Sequence, residues 1–168
     1  AGEADPKRAW REYVSQCLTE GANGYCLHET LRSYSAESRA VLGWIESIGA
    51  AVGDLPSEDL VHLDFHHRNV LRVGNRLSAV VDWESCRPGD RAFDLVTFAF
   101  GFTHARSSPE TQELVWGKVK EVADHDRFTI YVAYMVLRRL DWTIRHHDQS
   151  DVNHLIDFIA RVRETHLG

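Results

Sequence analysis

Two short segments near the middle of the chain carry oxygen-bearing side chains at a spacing that suits one kind of chemistry. Residues 62–69 read HLDFHHRN, and residues 80–84 read VVDWE. Phosphoryl transfer to a hydroxyl needs a carboxylate that orients the hydroxyl and accepts its proton, together with oxygen ligands that hold magnesium against nucleotide phosphates. Asp64 can fill the first role. Asn69 and Asp82 can fill the second, because amide and carboxylate oxygens are hard ligands suited to magnesium.

A β-hairpin is predicted between the two segments. Short β-branched runs at residues 70–73 and 77–81 flank a Gly-Asn dipeptide, which is suited to a tight hairpin turn. Such a hairpin returns the chain on itself, so that the residue after the second strand lies beside the residue before the first. We therefore expect Asp82 to lie near Asn69, with Asp64 opening into the same cleft.

The rest of the chain shows apolar residues at the spacing of helices. One stripe combines Trp10, Val14 and Leu18, and Ser35 marks the start of another helix. Predicted helices span residues 6–20, 35–53, 92–103, 109–123, 127–146 and 152–165. Because strand-helix units do not alternate, the pattern argues against a parallel doubly wound sheet. We predict a mainly α fold with one small β-hairpin, formed as a single domain over residues 1–168.

Three of these helices begin at residues that favour N-caps. Ser108 stands before Pro109, which suits a capped helix with proline in its first turn. Asp126 is predicted to cap the next helix, and Ser150 or Asp151 the last one.

The composition fits one globular domain that binds neither nucleic acid nor membrane. The chain has 168 residues, of which 43% are hydrophobic, and 19 basic against 25 acidic residues give a net charge of −6. This balance argues against a nucleic-acid backbone as partner and suits a cationic small molecule. Three cysteines without paired spacing fit a reducing cytoplasm. The apolar runs near 96–102 and 130–137 are shorter than the roughly 20 residues that span a bilayer.

Three segments, residues 62–69, 80–84 and 89–95, resemble those of the aminoglycoside phosphotransferases, small-molecule kinases of the protein-kinase-like fold. HLDFHHRN matches the HxDxxxxN catalytic loop, whose common form is close to HGDFHPGN, and VVDWE is similar to the family's VIDWE. Residues 89–95, GDRAFDL, resemble the family's GDPxxDLA. The likeness is close over residues 61–96. The departures are Leu63 for the usual Gly, His67 and Arg68 for Pro-Gly, and Arg91 for Pro.

The resemblance implies a role for each of these polar residues. Asp64 would be the catalytic base, and Asn69 and Asp82 would bind Mg²⁺ and through it the nucleotide, ATP or GTP. Structural support would come from His62, Asp90 and Asp94, although helix N-capping also accounts for the two aspartates. The implied reaction transfers the γ-phosphoryl group to a hydroxyl of an aminoglycoside or a similar acceptor.

A complete enzyme of this kind also has an N-terminal sheet lobe, with a phosphate-covering loop and a lysine held by a helical glutamate. Before the catalytic loop this chain offers 61 residues of helical pattern and a single lysine, Lys7. We therefore expect the chain to be the C-terminal lobe of the kinase-like fold with the N-lobe absent. On its own it is expected to be inactive.

Two other functions remain open from the residues alone. His62, His66 and His67, with Asp64 and Asp82, could form the metal site of a metallohydrolase, although their spacing differs from the helical HExxH pattern. A non-catalytic module that binds an acceptor or a partner is the other.

Late in the long helix and just after it, three residues fall where the family often grips a polyamine acceptor: Asp141, Trp142 and Asp148. We interpret them instead as part of a solvated helix face.

Overall fold

A computed structural model describes residues 6–21, 25–101 and 107–167. Within these ranges the protein is mainly helical, as the periodicity predicts, and it has two small antiparallel sheets where one hairpin was predicted. The α-helices are α1 Pro6–Thr19, α2 His28–Tyr34, α3 Ala36–Ala50, α4 Arg91–Gly101, α5 Pro109–Val122, α6 His125–His146 and α7 Gln149–Val162. A 3₁₀ turn covers His67–Asn69, and a π-helical turn covers Arg163–Leu167. The strands are β1 Asp59–Val61, β2 Val70–Val73, β3 Arg76–Val80 and β4 Arg87–Gly89.

The predicted hairpin is formed by β2 and β3. Val70 pairs with Val80 and Val73 with Arg76, with an irregularity in register after Leu71. The other sheet, which sequence reasoning missed, pairs β1 with β4. Its strands have three residues each, too few to show an alternating pattern. Helix α2, with seven residues, also escaped prediction because it is shorter than two turns.

The predicted N-caps are right at one helix and wrong at two. Ser108 accepts a hydrogen bond from the Thr111 amide, as expected for the cap of α5. Helix α6 begins earlier than predicted, and Asp124 rather than Asp126 accepts the amide hydrogen bond of its first turn. Asp148 caps α7 in place of Ser150 or Asp151. In both cases the capping aspartate lies two or three residues before the predicted one, so the error is one of helix boundary.

The chain divides into two compact units, and both sheets lie in the first, formed by Ala1–Trp10 and Leu55–Phe128. Helix α4 supplies the centre of this unit. The ring of Phe93 meets Trp10 edge-on at 5.4 Å, and Phe100 meets Trp116 at 5.6 Å. A Cβ at Gly89 would lie 2.7 Å from the Val61 side chain, so only glycine fits where β4 passes this core.

The second unit consists of Arg11–Asp54 and Thr129–Gly168, and helices are the only regular secondary structure of its described residues. Its long helix α6 buries nearly every apolar side chain from Tyr131 to Leu140. The hydroxyls of Tyr13 and Tyr134 lie 2.8 Å apart inside it. At the start of α3, Ser35 and Ser38 cap each other's backbone amides, as the sequence predicts for Ser35.

No helix in the described ranges is both long enough and apolar enough to cross a membrane.

Candidate active site

The predicted catalytic loop is attached to helix α4 through one carboxylate. Asp94 accepts the backbone N–H of His62 at 2.7 Å and that of Leu63 at 3.1 Å. Leu63 has φ 68°, in the left-handed region that side-chain-bearing residues seldom adopt. The family's usual glycine at this position would adopt it without strain. Burial raises the pKa of Asp94, while the two amide hydrogen bonds act in the opposite direction. Asp94 thus fixes the backbone that leads directly into Asp64.

His62 lies between the two motif segments and is fully buried. Its Nε2–H donates to the carbonyl oxygen of Val81 at 2.8 Å, and its Nδ1 faces the Asp64 amide at 3.4 Å. The imidazole also contacts the Trp83 ring, with centroids 4.7 Å apart. One side chain therefore contacts both the loop and the segment VVDWE, and its role as a structural support stays a prediction.

Asn69 ends the 3₁₀ turn and is buried. Its Nδ2 donates to the Asp64 carbonyl at 3.0 Å, which leaves Oδ1 as the atom able to serve as a ligand. The Asn69 carbonyl accepts the Val81 amide at 2.9 Å. This backbone hydrogen bond lies at the open end of the hairpin. Because Val81 is the partner of Asn69, Asp82 is the next residue along the chain.

The site has two acids with accessible side chains, Asp82, which is exposed, and Asp64, which is half-buried. Asp82 has φ 69°, so the chain turns sharply at this residue, and its side chain is open to solvent. The side chain of Asp64 is 40% exposed, with Oδ2 lying 3.5 Å from His66 Nε2. The convergence of Asp64, Asn69 and Asp82 on one metal-sized point stays a prediction.

His66 contacts the predicted base in a way that sequence reasoning missed. Its Nδ1 accepts the Arg68 amide at 3.2 Å, so the neutral ring carries its proton on Nε2. Nε2 lies 3.5 Å from Oδ2 of Asp64. The signal was available, because the common form HGDFHPGN has histidine at this position.

The histidines do not support a metallohydrolase. Both ring nitrogens of His62 are engaged with backbone groups, and Nδ1 of His66 is engaged as well. Across the described part of the chain, no three His, Cys, Asp or Glu side chains form a group able to hold a metal.

Asp90 serves as a helix cap and as half of an ion pair. It is only 2% exposed. Its Oδ1 accepts the Ala92 amide at 2.9 Å, at the start of α4, and its Oδ2 lies 3.0 Å from Arg127 Nη1. The sequence indicated the cap but not Arg127, because no local pattern links residues 37 positions apart.

The late-helix residues belong to the second unit, and one of them was misread. Asp141 is fully buried and forms a bidentate pair with Arg145, at 2.9 and 2.8 Å, so its assignment to a solvated face is wrong. The reason is that the arginine one turn later supplies the partner a buried carboxylate needs. Trp142 is 41% exposed, and Asp148 caps α7.

Comparison with known proteins supports the kinase-like assignment. Residues 28–128 match the phosphotransferase enzyme family (APH). A crystal structure of a thermostable mutant of aminoglycoside phosphotransferase APH(4)-Ia, in ternary complex with ADP and hygromycin B, matches with a TM-score of 0.66 and 20% identity. No curated protein gives a significant match.

The structural match covers 95% of this chain and 53% of the other, so this chain spans about half the length of that relative. At such low identity the match establishes the fold. The family match covers more than half of the chain and includes every motif residue described above. It confirms the resemblance carried by the three motifs: the chain belongs to the phosphotransferase enzyme family.

Proposed function

We propose that this chain is the C-terminal catalytic lobe of a kinase that transfers the γ-phosphoryl group of ATP or GTP to a hydroxyl of an aminoglycoside or a similar small molecule. The observation that carries the proposal is the pair of hydrogen bonds at Val81. Its carbonyl accepts from His62 and its amide donates to Asn69, so the catalytic loop and the segment containing Asp82 are held together. Catalysis of phosphoryl transfer depends mainly on such positioning.

Asp64 is the proposed base. The acceptor hydroxyl oxygen forms a bond to the γ-phosphorus while the bond from that phosphorus to the bridging oxygen breaks, which releases the nucleoside diphosphate. The proton of the hydroxyl passes to the carboxylate of Asp64, whose side chain is accessible. His66, whose Nε2 lies 3.5 Å from Oδ2, would help to orient this carboxylate.

The donor set fits magnesium. Asn69 presents Oδ1, because its Nδ2 is used by the loop, and Asp82 presents an exposed carboxylate. Both are oxygen donors of the kind Mg²⁺ prefers. When bound, the ion would offset the charge of the nucleotide phosphates.

Two observations support the assignment as one lobe of a larger enzyme. The chain spans 53% of the matched structure. In addition, the hairpin carries exposed apolar side chains: Leu71 is 46% exposed, Val73 74% and Leu77 79%. Clustered apolar exposure is typical of an interface. We propose that a nucleotide-holding N-terminal lobe, outside these residues, covers this hairpin.

Donor and acceptor classes are suggested by the charge of the chain and by the relative. A net charge of −6 suits a polycationic acceptor. The matched phosphotransferase was crystallised with ADP and hygromycin B, a nucleotide and an aminoglycoside. The same chemistry on other alcohols, such as choline-like, homoserine-like or sugar acceptors, belongs in the same screen.

The test uses the longest gene product that contains this chain. It is incubated with magnesium and ATP or GTP and a panel of these acceptors, and ³¹P NMR follows the phosphorylated product. We expect turnover on at least one acceptor, and a rate lower by about 100-fold or more in Asp64→Asn. Acceptor binding by calorimetry without any turnover would instead identify a non-catalytic module. The 168-residue chain alone should show little or no turnover, and a rate equal to that of the longer product would contradict the one-lobe assignment.

A further inference from the structure

Arg127 lies outside every motif, at the start of α6, and its guanidinium donates to three different residues. Its side chain is 22% exposed. Nε donates to Asp124 at 2.8 Å and Nη2 to the Val122 carbonyl at 2.9 Å. Nη1 donates to Asp90 at 3.0 Å. A guanidinium held on three sides in this way fixes the position of whatever it binds.

Asp90 transmits this constraint to helix α4. The side chain of Asp90 is only 3% exposed. A buried carboxylate without a charged partner destabilises the folded state, so the ion pair with Arg127 contributes to keeping Asp90 in place. Oδ1 accepts the Ala92 amide at 2.9 Å, and the Asp90 carbonyl accepts the Phe93 amide at 3.0 Å. The first turn of α4 is therefore linked to Arg127 through one residue, Asp90.

The same turn carries the anchor of the catalytic loop. Asp94, four residues after Asp90, binds the amides of His62 and Leu63 at 2.7 and 3.1 Å. Leu63, at φ 68°, holds an unfavourable backbone conformation immediately before Asp64. Such a conformation persists only where surrounding contacts enforce it.

We propose that Arg127 is a positioning residue for phosphoryl transfer. It acts on the base Asp64 through Asp90, the first turn of α4 and Asp94. The proposal rests on the proposed function. Loss of the guanidinium removes the charged hydrogen bond that Asp90 Oδ2 accepts, loosens the start of α4 and lets the loop at Leu63 relax. The consequence is a misplaced base rather than a lost ligand for the nucleotide.

The kinetic test compares Arg127→Met, Arg127→Lys and a control in the longest gene product that contains this chain. The control is Lys118→Met, which removes an exposed ion pair with Glu121 on α5, also in the first unit. A displacement of about 1 Å can cost about 100-fold in rate. We expect kcat to fall about tenfold in Arg127→Met, with the KM for nucleotide and for acceptor changed less than about twofold. Arg127→Lys should recover part of the lost kcat. The control Lys118→Met should keep the wild-type kcat.

A second measurement does not depend on activity. Amide hydrogen exchange in the 168-residue chain should become faster in Arg127→Met for peptides covering residues 60–66, which contain the His62 and Leu63 amides. Exchange in the hairpin residues 70–80 should change little. Unchanged exchange over residues 60–66 would overturn the proposed action of Arg127 on the catalytic loop, as would an unchanged kcat.

Asp90→Asn covers the case in which Arg127→Met does not fold. The amide keeps an acceptor for the Ala92 amide but removes the charge that Arg127 binds. We expect the same fall in kcat and the same faster exchange, and their absence would refute the proposal. If the wild type phosphorylates no acceptor, the proposed function fails. The exchange experiment still tests whether Arg127 holds the backbone of the catalytic loop.

Discussion

The carboxylate of Asp94 accepts the backbone amide of Leu63 at 3.1 Å, across 31 positions of sequence, and holds that residue at φ 68°. The bond fixes the peptide that precedes the proposed base. It also accounts for a departure from the family pattern, because leucine replaces glycine here in a conformation that ordinarily favours glycine. Leu63 is 6% exposed, so burial of its side chain offsets the backbone strain.

Glycine usually gives a less stable variant than alanine, and at Leu63 we expect the opposite order of stability. Leu63→Ala loses the buried side chain and keeps the strained backbone, at a cost of about 3 kcal/mol. Leu63→Gly loses the same burial but regains about 1 kcal/mol, since the left-handed conformation costs other residues about 1–2 kcal/mol. Urea unfolding of the chain should thus find the glycine variant more stable than the alanine variant.

Ala40, exposed in α3, provides the matched comparison. There Ala40→Gly should destabilise the protein by about 0.5–1 kcal/mol, the ordinary penalty for glycine inside a helix. If glycine is also worse than alanine at position 63, the strain attributed to Leu63 is absent.

Asp94 should make the stability of the fold depend on pH. Burial raises its pKa above the ordinary value of 3.8. The native state therefore binds this proton more tightly than the unfolded state does, and the corresponding stabilisation is present in full below 3.8. It is lost as the pH rises through the higher native value. The free energy of unfolding of wild type relative to Asp94→Asn should fall across that window.

Carboxyl ¹³C NMR of the folded chain checks the same point directly. The Asp94 signal should titrate with a midpoint above the ordinary value of 3.8. A midpoint below it would mean that the two amide hydrogen bonds outweigh burial.

Substitutions of Asp64 and Asp82 should differ in their kinetic effects. In the longest gene product containing this chain, Asp64→Asn should lower kcat by about 100-fold or more, the range expected for loss of a general base. The KM for nucleotide should change little. Asp82→Asn should lower kcat and also raise the KM for the magnesium nucleotide. Equal, small effects of both substitutions would contradict the assigned roles.

His66 should contribute modestly through its contact with Asp64. His66→Ala removes an N–H 3.5 Å from the carboxylate, which is a long contact. Because a hydrogen bond of ordinary length to a charged group contributes about 1.5–3 kcal/mol, we expect a smaller effect, a fall in kcat of about threefold to tenfold. His154→Ala, on the exposed face of α7, is the control. A full wild-type rate in His66→Ala would show that His66 does not contribute to positioning Asp64.

The local features of this protein could be predicted from the sequence. Six helices followed from apolar spacing, and the β2–β3 hairpin followed from β-branched runs around a Gly-Asn turn. The family followed from the three motifs, which the match over residues 28–128 confirms. Helix periodicity and turn chemistry involve residues only a few positions apart, so one sequence contains them in full.

The sequence by itself determined which residue types could perform the chemistry, their order and the helices around them. Only the tertiary structure decided how they are held. Asp94 meets His62 across 32 positions and Arg127 meets Asp90 across 37. Asp141 proved to be buried beside Arg145 rather than solvated. Partners so distant, and the face that a helix turns inward, depend on how the chain folds back on itself. That arrangement is fixed by the packing of whole elements, to which no short stretch of sequence corresponds.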